Sequence, residues 1–412
     1  MAAPPTAPRL LAPDFARGGM LLLILLSNTA FFLYAGDYTR SDSYPDPSSV
    51  ADSVTQFLML ALLDVRVYPL FAFLVGYGIV QTLTRRMAAG ATRDEAAATI
   101  RSRNRWLFVF GFAHAALLLS TEVLAAYGLI GLVLCALFLR ASERRLRAGI
   151  LTGVGLLALV FAAAAAALAL ITVLDPAGEA VPLTQESGRF LLSGAAEENY
   201  LVSVLFRLPT WVVLLFINGF GVVLPTAILI GMWAARHRVL EEPERHRALI
   251  RRVAVIGTAL GLAGALPGAL KHVGVFDPAP YYGLSDTAMT LTAWTSGLAG
   301  GLGYVALFVL LSQLLTRRGR PPVVVTSVAA LGKRSLSGYL SHSIVLVPVL
   351  SAWGLGLGAH LTSFTMALFA LGLWLVTVVV AALMERSGRR GPFEVLLRRL
   401  SLRKRPRQMS GL

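Results

Sequence analysis

The chain reads as an all-α, polytopic membrane protein of about ten transmembrane helices, and three observations carry that reading. Of its 412 residues 56% are hydrophobic and only 14% charged, which leaves too little polar surface for a water-soluble protein of this size. The apolar stretches recur at lengths near the roughly 17 to 25 residues that a tilted helix needs to cross a bilayer. The short connections between them alternate between arginine-rich and acidic.

Taken in order, residues 1–17 form a short basic N-terminal segment. The first apolar run, 18–34, lacks an A-x-A-like cleavage site and is followed by many others, so it is an uncleaved first span rather than a signal peptide. The remaining spans fall at 68–83, 106–121, 122–139, 148–174, 208–235, 253–276, 287–315, 335–355 and 361–384, giving one membrane domain over 18–385. Segment 54–63 is too short to cross and precedes Asp64 and Arg66, which predicts an interfacial or re-entrant piece on the outer side. In the tail, 386–412, Phe393, Leu396, Leu397 and Leu400 share one helical face among Arg398, Arg399, Arg403, Lys404, Arg405 and Arg407. That pattern predicts a basic amphipathic helix on anionic inner-leaflet lipid.

Charge sorts the two sides. In this layout 32 of the 37 Lys and Arg residues occupy one set of connections, and the exceptions are Arg40, Arg66, Arg189, Arg207 and Lys271. Thirteen of the 22 acidic residues lie on the opposite side. Because positive residues stay cytoplasmic in short connections, both termini are expected in the cytoplasm. The net charge of +15 then belongs to a membrane face and not to a nucleic-acid surface. Cys135 is the only cysteine and lies in an apolar run, so neither disulfides nor a thiolate metal cluster are expected, and no zinc signature or nucleophile elbow is present. Glycines 257, 261, 264 and 268 in one span and 297, 300, 301 and 303 in another predict close helix approach.

Ionisable groups inside a bilayer are costly, so each is a candidate functional residue. At 1.5 Å per residue, Asn28 lies roughly 16 Å beyond Arg17, His114 roughly 13 Å beyond Arg105 and His342 roughly 10 Å beyond Ser335. Three polar side chains from three spans thus reach similar depth, and if they converge they line one cavity. His114 and His342 are candidate catalytic bases, although each also fits a helix-to-helix hydrogen bond. Glu122, at the turn between two spans, is a candidate catalytic acid or a solvated rim carboxylate. Tyr339 and His342, three residues apart, share a helix face with Ser343 beside them. Asp14 and Arg17 sit together at the start of the first helix, where an acid suits the helix dipole.

The motifs Asp14-Phe15-Ala16-Arg17-Gly18, Pro69 to Gly78, Gly111-Phe112-Ala113-His114, Glu122 to Tyr127, Gly338 to Ser343, and Gly391-Pro392-Phe393-Glu394 with Arg398 resemble, in that order, the YeiB-like bacterial membrane proteins, the family named as domain of unknown function 418. That family is grouped with the acyltransferase-three and heparan glucosaminide acetyltransferase proteins. The resemblance implies transfer of an acyl group from a cytoplasmic acyl-CoA to a hydroxyl or amine acceptor in or across a bacterial inner membrane, with no tightly bound cofactor. It places His114, His342 and Glu122 as catalytic candidates and Asp14, Arg17, Asn28, Arg66, Tyr127, Tyr339 and Ser343 as substrate-binding candidates. Acyltransferase-three proteins carry histidine where this chain has Asn28, and asparagine is no general base near neutral pH. The alternative reading is a transporter or flippase of a small or lipidic molecule, acting without chemistry.

Overall fold

The structure is a computed structural model that describes residues 11–39, 43–174, 194–276, 284–316 and 321–402. The expectations for Arg40, Arg189, Arg403, Lys404, Arg405 and Arg407 lie outside the described residues. Within them every regular element is helical: α1 (Leu11–Asn28), α2 (Val50–Leu58), α3 (Val67–Ala88), α4 (Arg93–Leu117), α5 (Leu124–Phe138), α6 (Glu143–Leu174), α7 (Tyr200–Phe220), α8 (Val223–Arg236), α9 (Arg247–Arg252), α10 (Thr258–His272), α11 (Leu284–Thr316), α12 (Val323–Gly332), α13 (Ser335–Leu350), α14 (Ser363–Arg386) and α15 (Pro392–Ser401). Seven stretches are helical, long and apolar enough to cross a membrane, and four shorter apolar helices, α5, α8, α12 and α13, accompany them.

The surface is inside-out relative to a soluble protein. On α2 the stripe Val50, Val54 and Leu58 is exposed while Asp52 and Gln56 on the other face are buried. The outward sides of α6 and α14 are likewise apolar, with Leu151, Leu159, Val376 and Val379 all exposed. Such a surface fits hydrocarbon as its solvent. Buried backbone and polar groups are then satisfied internally: Ser49 caps α2, Thr92 and Glu95 form a capping box on α4, and Thr362 with Thr365 does the same for α14.

Small residues let the helices meet at backbone distance. A Cβ on Gly76 would lie 2.1 Å from the Ile228 carbonyl oxygen and one on Gly231 equally near that of Phe73, so α3 and α8 cross on two glycines. The glycine rows expected to pack do so: Gly261 meets Gly300, Gly257 meets Ala299, and Gly264 meets Ser296. Gly268 stands off from this seam, with only Met289 at van der Waals distance.

Three features differ from the sequence layout. The expected span 208–235 is two helices, broken at Gly221 and Val222 between α7 and α8. Segment 54–63 belongs to α2 and a wider π-helical turn, Met59–Leu63, that runs directly into the corner before α3. The hairpin between α4 and α5 stays below the surface: Leu119, Ser120 and Glu122 are buried, covered by α7, whose Tyr200 hydroxyl donates to Leu117 O at 3.0 Å. A continuous apolar run looks the same whether its turn reaches the bilayer edge or stops short of it.

Helix ends nevertheless sort onto two faces as the charge pattern requires. On the basic face Arg236 donates to Phe138 O and Ala141 O, Arg334 pairs with Glu385, and Gln81 bonds Glu241. On the acidic face Gln56 bonds Ser363 and His272, and Lys271 pairs with Asp286. The off-side cations among the described residues, Arg66, Arg207 and Lys271, each have local partners. Arg207 caps the last carbonyls of α4, Ala116 O and Leu118 O, as a cation at a helix C-terminus should.

Candidate functional site

Two chambers approach each other through the centre of the protein. The one at the acidic face, about 570 Å³, is lined by Ser27, Asn28, Tyr44, Asp64, Tyr68, Lys271, His272, Asp286 and Trp294. The one at the basic face, about 360 Å³, is lined by Arg86, Thr99, Arg103, Ser335, Arg398 and Ser401. Tyr127 and Tyr339 line both chambers. The two phenols are therefore a septum with one face toward each chamber.

The short core helices make this arrangement possible. At 1.5 Å per residue, the 15 residues of α5 and 16 of α13 span roughly 22 to 24 Å, less than the roughly 30 Å hydrocarbon core, so polar space enters from both sides. Tyr127 lies in the first turn of α5 and donates to Tyr68 O at 2.8 Å. Gly128 and Gly131 bring α5 against the backbone of α4 at Asn104 and Phe108 and against the Asn104 side chain, which fixes where that phenol stands.

The basic chamber holds three arginines and, among the described residues, one acid, Glu394. Among the described residues the side chains of Arg86, Arg103 and Arg398 have no hydrogen bond and no acidic partner, and Arg86 Nε and Ser401 Oγ are buried without any partner. Arg17, 3.5 Å from Asp14, stands near enough to Arg103 to repel it electrostatically. Glu394 is the one acid at the wall, and its carboxylate is already engaged: it accepts from Leu336 N at 2.8 Å, Ser337 N at 3.0 Å and the Ser337 hydroxyl. It thereby caps the start of α13 and pins α15 under the chamber. Gly391 permits this contact, since a Cβ there would meet Glu394 Oε2 at 2.0 Å. The phosphates of an anionic ligand would match such a surface.

The acidic chamber holds paired groups. Asp64 accepts from the hydroxyls of Ser27 and Tyr44, both at 3.0 Å. Lys271 pairs with Asp286, and His272 Nε2 lies 2.8 Å from Gln56 Oε1. The Tyr68 hydroxyl is buried and unbonded, its ring 5.9 Å from that of Trp294. Sequence reasoning missed Asp64, His272 and Asp286 as site residues because each sits at a span end and reads as a loop charge. The signal available was that Lys271 and His272 adjoin on the side where basic residues are otherwise scarce.

The expected trio does not share a cavity. Asn28 lines the acidic chamber, whereas His114 and His342 line neither chamber. His342 Nε2 bonds Thr377 Oγ1 at 2.9 Å and so ties α13 to α14. His114 is buried with both ring nitrogens unbonded, its ring 5.2 Å from that of Tyr339; it stands behind the septum. Equal depth along the helices does not fix direction in the membrane plane. Glu122 is 4% exposed and is no solvated rim acid: it accepts from Trp211 Nε1 at 2.7 Å and from Ala125 N at 3.1 Å, capping α5 and anchoring α7. Arg66 is a wedge between helices, donating to Leu60 O, Asp64 O and Gly261 O. Asp14 and Ser343 are buried outside both chambers. On α15 Phe393 and Leu397 face the protein and pack with Leu107 and Trp106, leaving Leu396 exposed.

Residues 234–404 match the family described as "Protein of unknown function (DUF418)". Over 402 residues, 93% of this chain and 92% of the relative, the sequence is 25% identical to the uncharacterized protein YxaH of Bacillus subtilis (strain 168). Over 394 residues, 95% of each chain, it is 25% identical to the uncharacterized protein YeiB of Escherichia coli (strain K12). The family match runs from the end of α8 through α15, and it includes the Gly391 to Glu394 latch.

Proposed function

Taking as premise a YeiB-like membrane protein with a DUF418 segment, the resemblance its sequence motifs carried, we propose that it is a multi-pass acyltransferase of a bacterial plasma membrane. The observation that carries the proposal is the pair of chambers meeting at Tyr127 and Tyr339. With the arginine-rich face cytoplasmic by the positive-inside rule, an acyl-CoA places its phosphates among Arg86, Arg103 and Arg398 and its thioester at the septum. A hydroxyl or amine acceptor occupies the opposite chamber, positioned by Asn28, Asp64 and Tyr339.

In the transfer the acceptor oxygen or nitrogen bonds the thioester carbonyl carbon, the C–S bond breaks, and CoA leaves as the thiolate. The acceptor's proton ends on that thiolate. His114 carries it on the way, by the Tyr339 hydroxyl, because it is the unbonded imidazole next to the septum. His342 and Glu122 serve the scaffold in this scheme.

The test is binding and thiol release by the purified full-length protein in vesicles, with acetyl-CoA and palmitoyl-CoA as probes and bacterial lipid extract as acceptor source. Saturable binding that weakens in Arg103→Ala, with thiol release lost in His114→Ala, is the expected result. Binding of neither thioester would overturn the proposal. A specific observation favours transport as a second reading: no histidine with a proton-accepting nitrogen clear of a partner lines either chamber. Transbilayer flux of a lipid probe without thiol release would select it.

A further inference from the structure

A third cavity lies apart from the two chambers and shares no lining residue with them. It is a groove of about 380 Å³ bounded by α6, α8, α9, α11 and the π-helical turn Val253–Gly257. Its walls include Phe73, Trp233, Leu240, Val253 and Ala306, and every lining side chain except Arg147 is apolar. We infer that this groove is a binding site for one acyl chain of an anionic phospholipid, with the lipid phosphate at Arg147.

Four observations carry the assignment. First, the Trp233 indole N–H is the one hydrogen-bonding group on the walls besides Arg147, too few to solvate a polar solute, which leaves a hydrocarbon chain as the occupant. Second, the groove opens to the surface that faces lipid: Leu151 at its rim is 70% exposed and Leu249 is 39% exposed. Third, it lies at the basic face, where Arg147 on α6 and the exposed Arg251 and Arg252 on α9 present positive charge at the depth of lipid headgroups. Arg147 shares its charge with Glu143 at 2.9 Å, an exposed pair that a phosphate can compete with. Fourth, the wall is held in place rather than collapsed. The Tyr77 hydroxyl accepts from Leu240 N at 3.1 Å, and Gln81 bonds Glu241 at 2.6 Å, so the loop that closes the groove is fixed to α3. A π-helical turn at the rim widens the backbone where the chain would enter, and such turns recur at functional sites.

Apolar contact alone does not select a chain from the surrounding bilayer, since lipid tails are as apolar as the walls. Selection comes from the headgroup charge at Arg147. The preference for an anionic over a zwitterionic lipid is about fivefold, the scale that one surface arginine supplies.

The test uses the full chain in vesicles whose lipids carry brominated acyl chains, with Trp233 as the reporter. The Trp233 contribution to emission is the difference between the parent and Trp233→Phe. Expected is strong quenching of that contribution, with phosphatidylglycerol effective at about one fifth of the mole fraction that phosphatidylcholine requires. Ala306→Phe, which fills the groove, relieves the quenching, and Arg147→Gln removes the lipid preference. If Ala306→Phe fails to fold, Ala234→Leu serves as the filling variant. The inference is overturned by quenching that is equal for both lipids and unchanged by filling. It is equally overturned if mass spectrometry of the intact protein shows the occupant to be an acyl-CoA, a free fatty acid or a segment of this chain.

Discussion

Replacing Glu394 by alanine should release α15 from the floor of the basic chamber. The carboxylate is the acceptor for two backbone N–H groups of the first turn of α13 and for the Ser337 hydroxyl, which in turn accepts from Phe393 N at 3.1 Å. Loss of a helix cap costs about 1 kcal/mol. The carboxylate's interaction with the helix dipole adds up to about 1 kcal/mol, and the hydroxyl bond about 1 kcal/mol more. The sum, about 3 kcal/mol, corresponds to roughly a hundredfold rise in the opening of α15. Hydrogen exchange followed by mass spectrometry reads this directly on the amides of residues 395–401. Glu394→Gln keeps a carbonyl acceptor but loses the charge, and its exchange should rise by about tenfold. Exchange in Glu394→Ala within twofold of the parent would refute the latch and with it the view of α15 as a chamber wall.

Other substitutions test the packing. Gly76→Ala and Gly231→Ala each force apart α3 and α8 and should lower stability by about 1 to 3 kcal/mol in thermal unfolding. Gly155→Ala, where a Cβ meets nothing within 4 Å, should raise it by up to about 1 kcal/mol, so equal effects at the three sites would contradict the close crossing. Trp211→Phe and Glu122→Ala remove the same 2.7 Å bond; a double-mutant cycle should show coupling of about 1.5 to 3 kcal/mol, and additivity would deny the anchor. Arg66→Met removes three side-chain bonds to carbonyls and should cost about 3 kcal/mol or more in stability, whereas a drop in ligand binding with stability intact would return Arg66 to the substrate-binding set.

The two-sided layout was legible because charge placement is a property of the linear chain. Arg236 and Arg334 bond at the ends of the arginine-rich connections that held them, and the close approach of Gly257, Gly261 and Gly264 to Ala299, Gly300, Gly303 and Ser296 is the helix contact their spacing predicted. The chambers were only half legible. Helical rise gave Asn28, His114 and His342 their height but no bearing around the helix axis, so His342 was read toward Asn28 when it turns to Thr377, and His114 meets the Tyr339 ring instead. Glu122 was misjudged because its turn stops inside the protein beneath α7, a fact of tertiary packing. Asp64, Lys271, His272 and Asp286 come from three separate segments, and only the fold brings them to one wall.

Two chambers reach the same two tyrosines from opposite faces. Single cysteines placed in a Cys135→Ala chain test this arrangement with a membrane-impermeant thiol reagent applied to right-side-out and inverted vesicles. Thr99→Cys and Ser401→Cys should label only from the arginine-rich face, Thr121→Cys and Thr290→Cys only from the other, and adding Tyr127→Ala with Tyr339→Ala should open all four to both. Labelling of both pairs from one face in the parent background would contradict two chambers closed off from each other.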